Sequence, residues 1–161
     1  MTEPMHRKLS GLAEYSAALE EVIALASREI RIFDDSLENL GFNSAARHES
    51  LGAFLRANPE NRLSILVHDT AYLEKRCPRM MTLLRQFSHN LFIRQVSPEF
   101  ARVYAPFCLA DAEHYVRRFH FDDPRGIFAR FDPHEARALL QRFEALRETA
   151  DPALSPDISG L

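Results

Sequence analysis

The spacing of apolar positions switches between helical and strand periods along the chain, and each switch marks an element. After a polar start, Tyr15, Leu19, Val22, Ile23 and Ala26 recur at helical spacing and predict an amphipathic helix. Ile30 and Ile32 bracket Arg31 in a short strand that ends at the acidic pair Asp34-Asp35. Ser44 is placed to cap a second helix, with Leu51, Phe54 and Leu55 on its core face. The turn Asn58-Pro59-Glu60-Asn61 leads into residues 63–67, an apolar run closing at His68-Asp69 that reads as a buried parallel strand. Thr70 suits the cap of a short helical turn through Leu73. Pro78 suits the first position of a helix that turns Met80, Leu83, Leu84 and Phe87 inward.

Leu91, Ile93 and Val96 predict the third strand and Phe107–Ala110 the fourth. Residues 115–121 and 127–131 read as an antiparallel hairpin joined through Asp122-Asp123-Pro124-Arg125-Gly126. Asp132, Pro133 and Glu135 form a strong helix start, followed by Ala136, Leu139, Leu140, Phe143 and Leu146 on one face. Helices alternating with strands and then a run of strands predict an α/β fold, a three-layer α/β/α sandwich around a mixed sheet. Nothing splits the chain, so one domain is expected over residues 12–148. Residues 1–11 are expected as a flexible N-terminus and 149–161 as a flexible tail.

Composition narrows the class. Of 161 residues 46% are apolar and 27% charged, the balance of a water-soluble globular domain. A net charge of −3 provides no global field toward nucleic acid or an anionic membrane. The two cysteines, Cys77 and Cys108, lie in no CxxC or paired-histidine pattern, so neither zinc nor a disulfide framework is expected. No signal-like segment and no apolar run near the ~20 residues of a membrane span is present in the sequence. A cytoplasmic protein without membrane attachment or cofactor is the expectation.

The stretch Tyr104-Ala-Pro-Phe-Cys-Leu-Ala-Asp111 carries the chemistry. It resembles the His-x-Lys-x-x-x-x-Asp motif of the phospholipase D-like superfamily, with Tyr104 at the nucleophilic histidine, Pro106 at the phosphate-binding lysine and Asp111 retained. A proline side chain offers neither charge nor donor to a phosphate. More narrowly, the chain looks like a bacterial branch of that superfamily with degenerate motifs, whose relatives are associated with acetyltransferase-like domains. The resemblance implies a single half-domain, a homodimer with the two Asp111-bearing strands near the two-fold axis, and an acetyltransferase-like protein as a candidate partner.

Four further candidates come from strand ends, where open α/β sheets bind ligands. Asp34, His68, Asp69 and Arg94 fall at or near the ends of the expected parallel strands. No HExxH or DxD spacing joins them, so no metal is expected. Arg85, Arg94, Arg102, Arg117, Arg118, Arg125 and Arg130 concentrate in the second half, which suits a phosphate-bearing ligand. Tyr104, Asp111, His68, Asp34 and Arg94 are thus the ligand or interface candidates, and no residue is assigned a catalytic role. The expected function is a non-catalytic, dimeric binding or interaction module. The alternative is a divergent phosphodiesterase or nuclease with a remodelled site.

Overall fold

A computed structural model describes residues 3–100 and 103–154. Within them the chain runs β1 (Met5–Leu9), α1 (Leu12–Leu25), β2 (Glu29–Asp34), α2 (Ala45–Ala57), β3 (Arg62–Val67), α3 (Ala71–Arg76), α4 (Pro78–Gln86), β4 (Leu91–Gln95), a 3₁₀ turn at Pro98–Phe100, β5 (Phe107–Ala110), β6 (His114–His120), β7 (Asp123–Arg130), α5 (Pro133–Thr149) and β8 (Asp151–Leu154). The described strands form one mixed sheet in the order β1-β7-β6-β5-β2-β3-β4-β8. β2, β3 and β4 are parallel, and the other neighbours pair antiparallel.

Strand alternation divides the core in two. Ile30, Ile32, Leu63, Ile65, Leu91 and Ile93 point to the face covered by α1, α2 and α4, where they meet Leu19, Val22, Leu51, Leu55, Met80 and Leu83. Phe33, Leu66, Phe107 and Tyr115 point the other way, onto Leu139, Phe143 and Leu146 of α5. The expected three-layer α/β/α sandwich is therefore present, with unequal outer layers.

Local signals act where they were read. The Ser44 hydroxyl accepts the Arg47 N–H at 3.0 Å, and Asp132 accepts that of Glu135 at 3.4 Å. At α3 the expectation needs correction. The Thr70 side chain makes no capping bond, and the Asp69 carboxylate accepts the Ala71 N–H at 2.9 Å instead.

Three further boundaries differ from the sequence reading. Met5–Leu9, expected in a flexible terminus, is strand β1, paired with β7 from Met5↔Arg130 to Leu9↔Gly126. Asp151–Leu154, expected in the tail, is strand β8 along β4. Both are outer strands held by backbone pairing, and Pro152 is tolerated in β8 because an outermost strand need not donate on both sides. The hairpin turn is also tighter than expected. β7 already begins at Asp123, with His120↔Asp123 closing the turn. Gly126 lies inside the strand because the chain packs so closely there: a Cβ at this position would sit 2.1 Å from the Arg117 carbonyl oxygen.

Candidate functional site

Topology gathers the polar strand ends at one edge of the sheet. The parallel strands β2, β3 and β4 all finish there, and β5, antiparallel to β2 with Phe33 opposite Phe107, begins there. β6 returns to the same edge, with Arg117 opposite Phe107. The Arg118 N–H donates to the Pro106 carbonyl at 3.0 Å, closing β6 onto the segment before β5. Between these ends lies a cleft of about 290 Å³ lined by Phe33, Asp35, His68, Tyr104, Pro106, Arg118 and Phe121.

His68 is the unusual member. It is 9% exposed, yet neither Nδ1 nor Nε2 has a hydrogen-bond partner among the described residues. Its backbone is fully engaged: its N–H donates to the Asp35 carbonyl at 2.9 Å, and its own carbonyl accepts from Gln95 Nε2 at 2.9 Å. The ring stands edge-on to Phe33, with centroids 5.4 Å apart. A buried imidazole without partners costs desolvation that nothing in the described chain returns.

Arg118 brings the cation. Its Nε donates to the Asp123 carbonyl at 2.9 Å and its Nη2 to the Phe121 carbonyl at 3.1 Å, which fixes the guanidinium in the cleft wall. Tyr104 is half-buried, with the Arg142 guanidinium 4.9 Å from its ring centroid. On the far side of Tyr104 a second hollow includes Val103, Phe119, Arg117 and Arg142. Val103 and Phe119 are the large apolar side chains left exposed among the described residues, at 56% and 38%.

The other candidates lie elsewhere. Asp111 follows the last residue of β5 and so sits at the opposite end of that strand from Tyr104. Its carboxylate accepts the N–H groups of Ser27, Arg28 and Glu29 at 2.7, 2.8 and 2.9 Å and the Ser27 hydroxyl at 3.1 Å. Partial burial disfavours its charge, but these bonds more than offset that and hold its pKa below the usual aspartate range. Asp34 is buried and shapes the turn after β2, accepting the Leu37 N–H at 2.7 Å and that of Ser36 at 3.2 Å. Burial pushes its carboxyl upward despite those bonds. Its neighbour Asp35 lines the cleft instead. Arg94, expected with the strand-end group, lies on the α5 side of β4 level with Leu66, two residues short of His68, and lines a separate hollow with Arg62, Ser64 and Arg147.

Two of the sequence candidates, His68 and Tyr104, line one cleft, together with Asp35 and Arg118, which the sequence reading does not select. Asp35 was visible as half of an acidic pair. Arg118 was one arginine among many until pairing of β5 with β6 brought it beside Pro106. Among the described residues no helix is long and apolar enough to cross a membrane.

Solved structures share this architecture. TrmBL2, an archaeal chromatin protein with a novel mode of DNA binding, superposes with a TM-score of 0.66 at 14% identity over 92% of this chain. The chain spans about half, 54%, of TrmBL2. Nuc, a phospholipase D family member from Salmonella typhimurium, superposes at 0.69 and 14% identity, over 95% of this chain and 100% of that one. NucT from Helicobacter pylori superposes at 0.63 and 11% identity, over 94% and 100%. At such identities the likeness is one of fold, that of a phospholipase D-like half-domain. No curated protein matches the chain in sequence. The family described as Domain of unknown function (DUF7931) matches residues 11–155, and the chain belongs to that family.

Proposed function

We propose that this domain is a phospholipase D-like module that binds a phosphate-bearing ligand in the His68–Arg118 cleft without cleaving it, and that it works as a homodimer. The observation that carries this reading is His68, buried at the cleft with both ring nitrogens unpartnered among the described residues. A phosphate oxygen supplies the missing partner, and Arg118 supplies the opposite charge. The degenerate motif argues against turnover. Tyr104 and Pro106 stand where the resemblance places a nucleophile and a lysine, and transfer of a phosphoryl group needs more positive charge around its oxygens than one guanidinium. Asp111 is occupied with backbone amides at the other end of β5.

The exposed pair Val103 and Phe119 beside the cleft offers an apolar contact for the second copy. DNA, which TrmBL2 binds, is one source of the phosphate. An acetyltransferase-like protein remains the proposed heterologous partner. A second reading draws on the same cleft: the imidazole of His68 and the phenol of Tyr104 both line it, as a divergent phosphodiesterase or nuclease would require.

One experiment separates the two. Phosphate binding is followed by amide NMR while a chromogenic phosphodiester is assayed with and without chelator, for wild type, His68→Ala and Tyr104→Phe. The binding reading expects shifts at His68 and Arg118 without hydrolysis above background. Hydrolysis that falls in both variants refutes it and selects the second reading. Sedimentation velocity checks the dimer, and a monomer at micromolar concentration refutes that part.

A further inference from the structure

The unequal outer layers leave part of the sheet open. α5 is the long helix on its face among the described residues and lies across β5 and β6. Past its last turn, over β3 and β4, that face opens into a cleft of about 220 Å³ whose polar lining is Arg62, Ser64, Arg94 and Arg147, with Phe92 on the floor. It shares no lining residue with the His68 cleft, and among the described residues no carboxylate lines it.

Alternation puts these groups on one face by design of the register: Ser64 of β3 lies opposite Phe92 of β4, with Arg62 two residues before and Arg94 two residues after. The Arg62 guanidinium lies over the Phe92 ring, 5.5 Å from its centroid, which holds the charge above the sheet. Arg94 is half-buried, level with Leu66 on one side and Pro152 on the other. Arg147 is held from α5 by Glu144, through Nε at 3.0 Å and Nη2 at 2.6 Å. Among the described residues, neither Arg62 nor Arg94 has a carboxylate within ion-pair distance.

Such an arrangement is incomplete as it stands. Three guanidinium groups around one hydroxyl repel one another, and Arg94 has given up water without gaining a counter-charge. Arginine forks match phosphate oxygens two at a time. The two unpaired arginines enter from opposite ends. Arg94 lies four residues beyond the position level with Arg62, so at standard strand rise and spacing their Cα atoms stand roughly 14 Å apart. Two linked phosphates give each fork its own set of oxygens and leave the Ser64 hydroxyl to the bridge between them.

We propose that this cleft is a second anion site, separate from the one at His68, and that it takes a diphosphate group, either free or as part of a nucleoside diphosphate. The test titrates the full chain with pyrophosphate and with ADP at constant ionic strength, by calorimetry and by amide NMR, for wild type, Arg62→Gln and Arg94→Gln. Circular dichroism checks that each variant is folded. The expected result is binding with shifts at Ser64, Phe92 and Arg94, weakened about tenfold by either substitution, the size of one lost charged hydrogen bond. ADP binding tighter than pyrophosphate identifies the nucleotide as the source; equal affinities identify free diphosphate. Both support the site. It is overturned by no binding, by affinities unchanged in both variants, or by shifts confined to His68, Tyr104 and Arg118, which would assign the anion to the first cleft instead.

Discussion

Replacing Asp111 with alanine removes the one carboxylate that fastens the β5–β6 turn to the start of β2. In the native fold it accepts three backbone N–H groups and the Ser27 hydroxyl, all within 3.1 Å. Hydrogen bonds to a charged acceptor contribute about 1.5–3 kcal/mol each. Their sum overstates the loss, because water reaches this half-exposed turn and satisfies part of what is freed. About 2–3 kcal/mol is the reasonable share. Asp111 also has φ 55°, a left-handed conformation that costs alanine about 1 kcal/mol and that Asp and Asn adopt more readily. The alanine variant should therefore lose about 3–4 kcal/mol, or roughly 6–16 °C in Tm for a domain of this size. Asp111→Asn keeps one acceptor and the backbone preference, so it should lose only about half as much.

Thermal and urea melts by circular dichroism measure both. The pH dependence gives a second check. Because the folded-state pKa of Asp111 is lowered, its contribution is present above the ordinary aspartate value near 3.9 and fades as pH falls through the lower folded value. The gap between wild type and Asp111→Ala should narrow in that window. Equal melting of wild type and Asp111→Ala at pH 7, or a gap that persists unchanged down to pH 2, would refute the reasoning.

Gly126→Ala should cost about 3 kcal/mol by urea denaturation, since its new Cβ meets the Arg117 carbonyl at 2.1 Å and the strands must part. A loss under about 1 kcal/mol would show that the backbone yields there. Burial pushes the Cys108 thiol up to about 12, with Arg47 pulling weakly the other way, and Cys77 is raised too, chiefly by burial. A thiol reagent at neutral pH should therefore label neither cysteine until urea unfolds the chain, and fast labelling of the native protein would contradict this.

Legibility in the sequence followed the physics of each segment. The inner strands and α1, α2, α4 and α5 carry their burial as periodicity, and that spacing predicts their presence and core faces. β1 offers only Leu9 to the deep core, with Met5 partly buried against its margin, and its middle residues make polar and cation–π contacts: Arg7 lies over Phe128 at 4.6 Å and pairs with Glu21, while His6 Nε2 is 2.8 Å from Asp132. Such a strand leaves no alternating signature. Asp34, Arg94 and Asp111 were flagged by position in the chain, but a strand-end label does not say toward which face, or which end of a short strand, a side chain is turned. Arg118 takes its place only through the pairing of β6 with β5, which brings it beside Pro106. That the His68 ring nitrogens lack partners among the described residues is a property of the assembled neighbourhood, which no local pattern encodes.

The placement of β1 and β8 at the two margins of the sheet has a practical consequence for solubility. Each caps a strand that would otherwise present a row of free amides and carbonyls to neighbouring molecules. β8 shields β4, whose apolar Leu91 and Ile93 make it the more adhesive edge, and it carries Pro152, which cannot extend a ladder further. β1 shields β7 with the charged run His6-Arg7-Lys8. A version trimmed to residues 12–148, the boundaries that hydrophobic periodicity recommends, would retain most of the core and lose both guards. It would fold into a particle with two sticky rims, prone to edge-to-edge association that has nothing to do with its natural assembly.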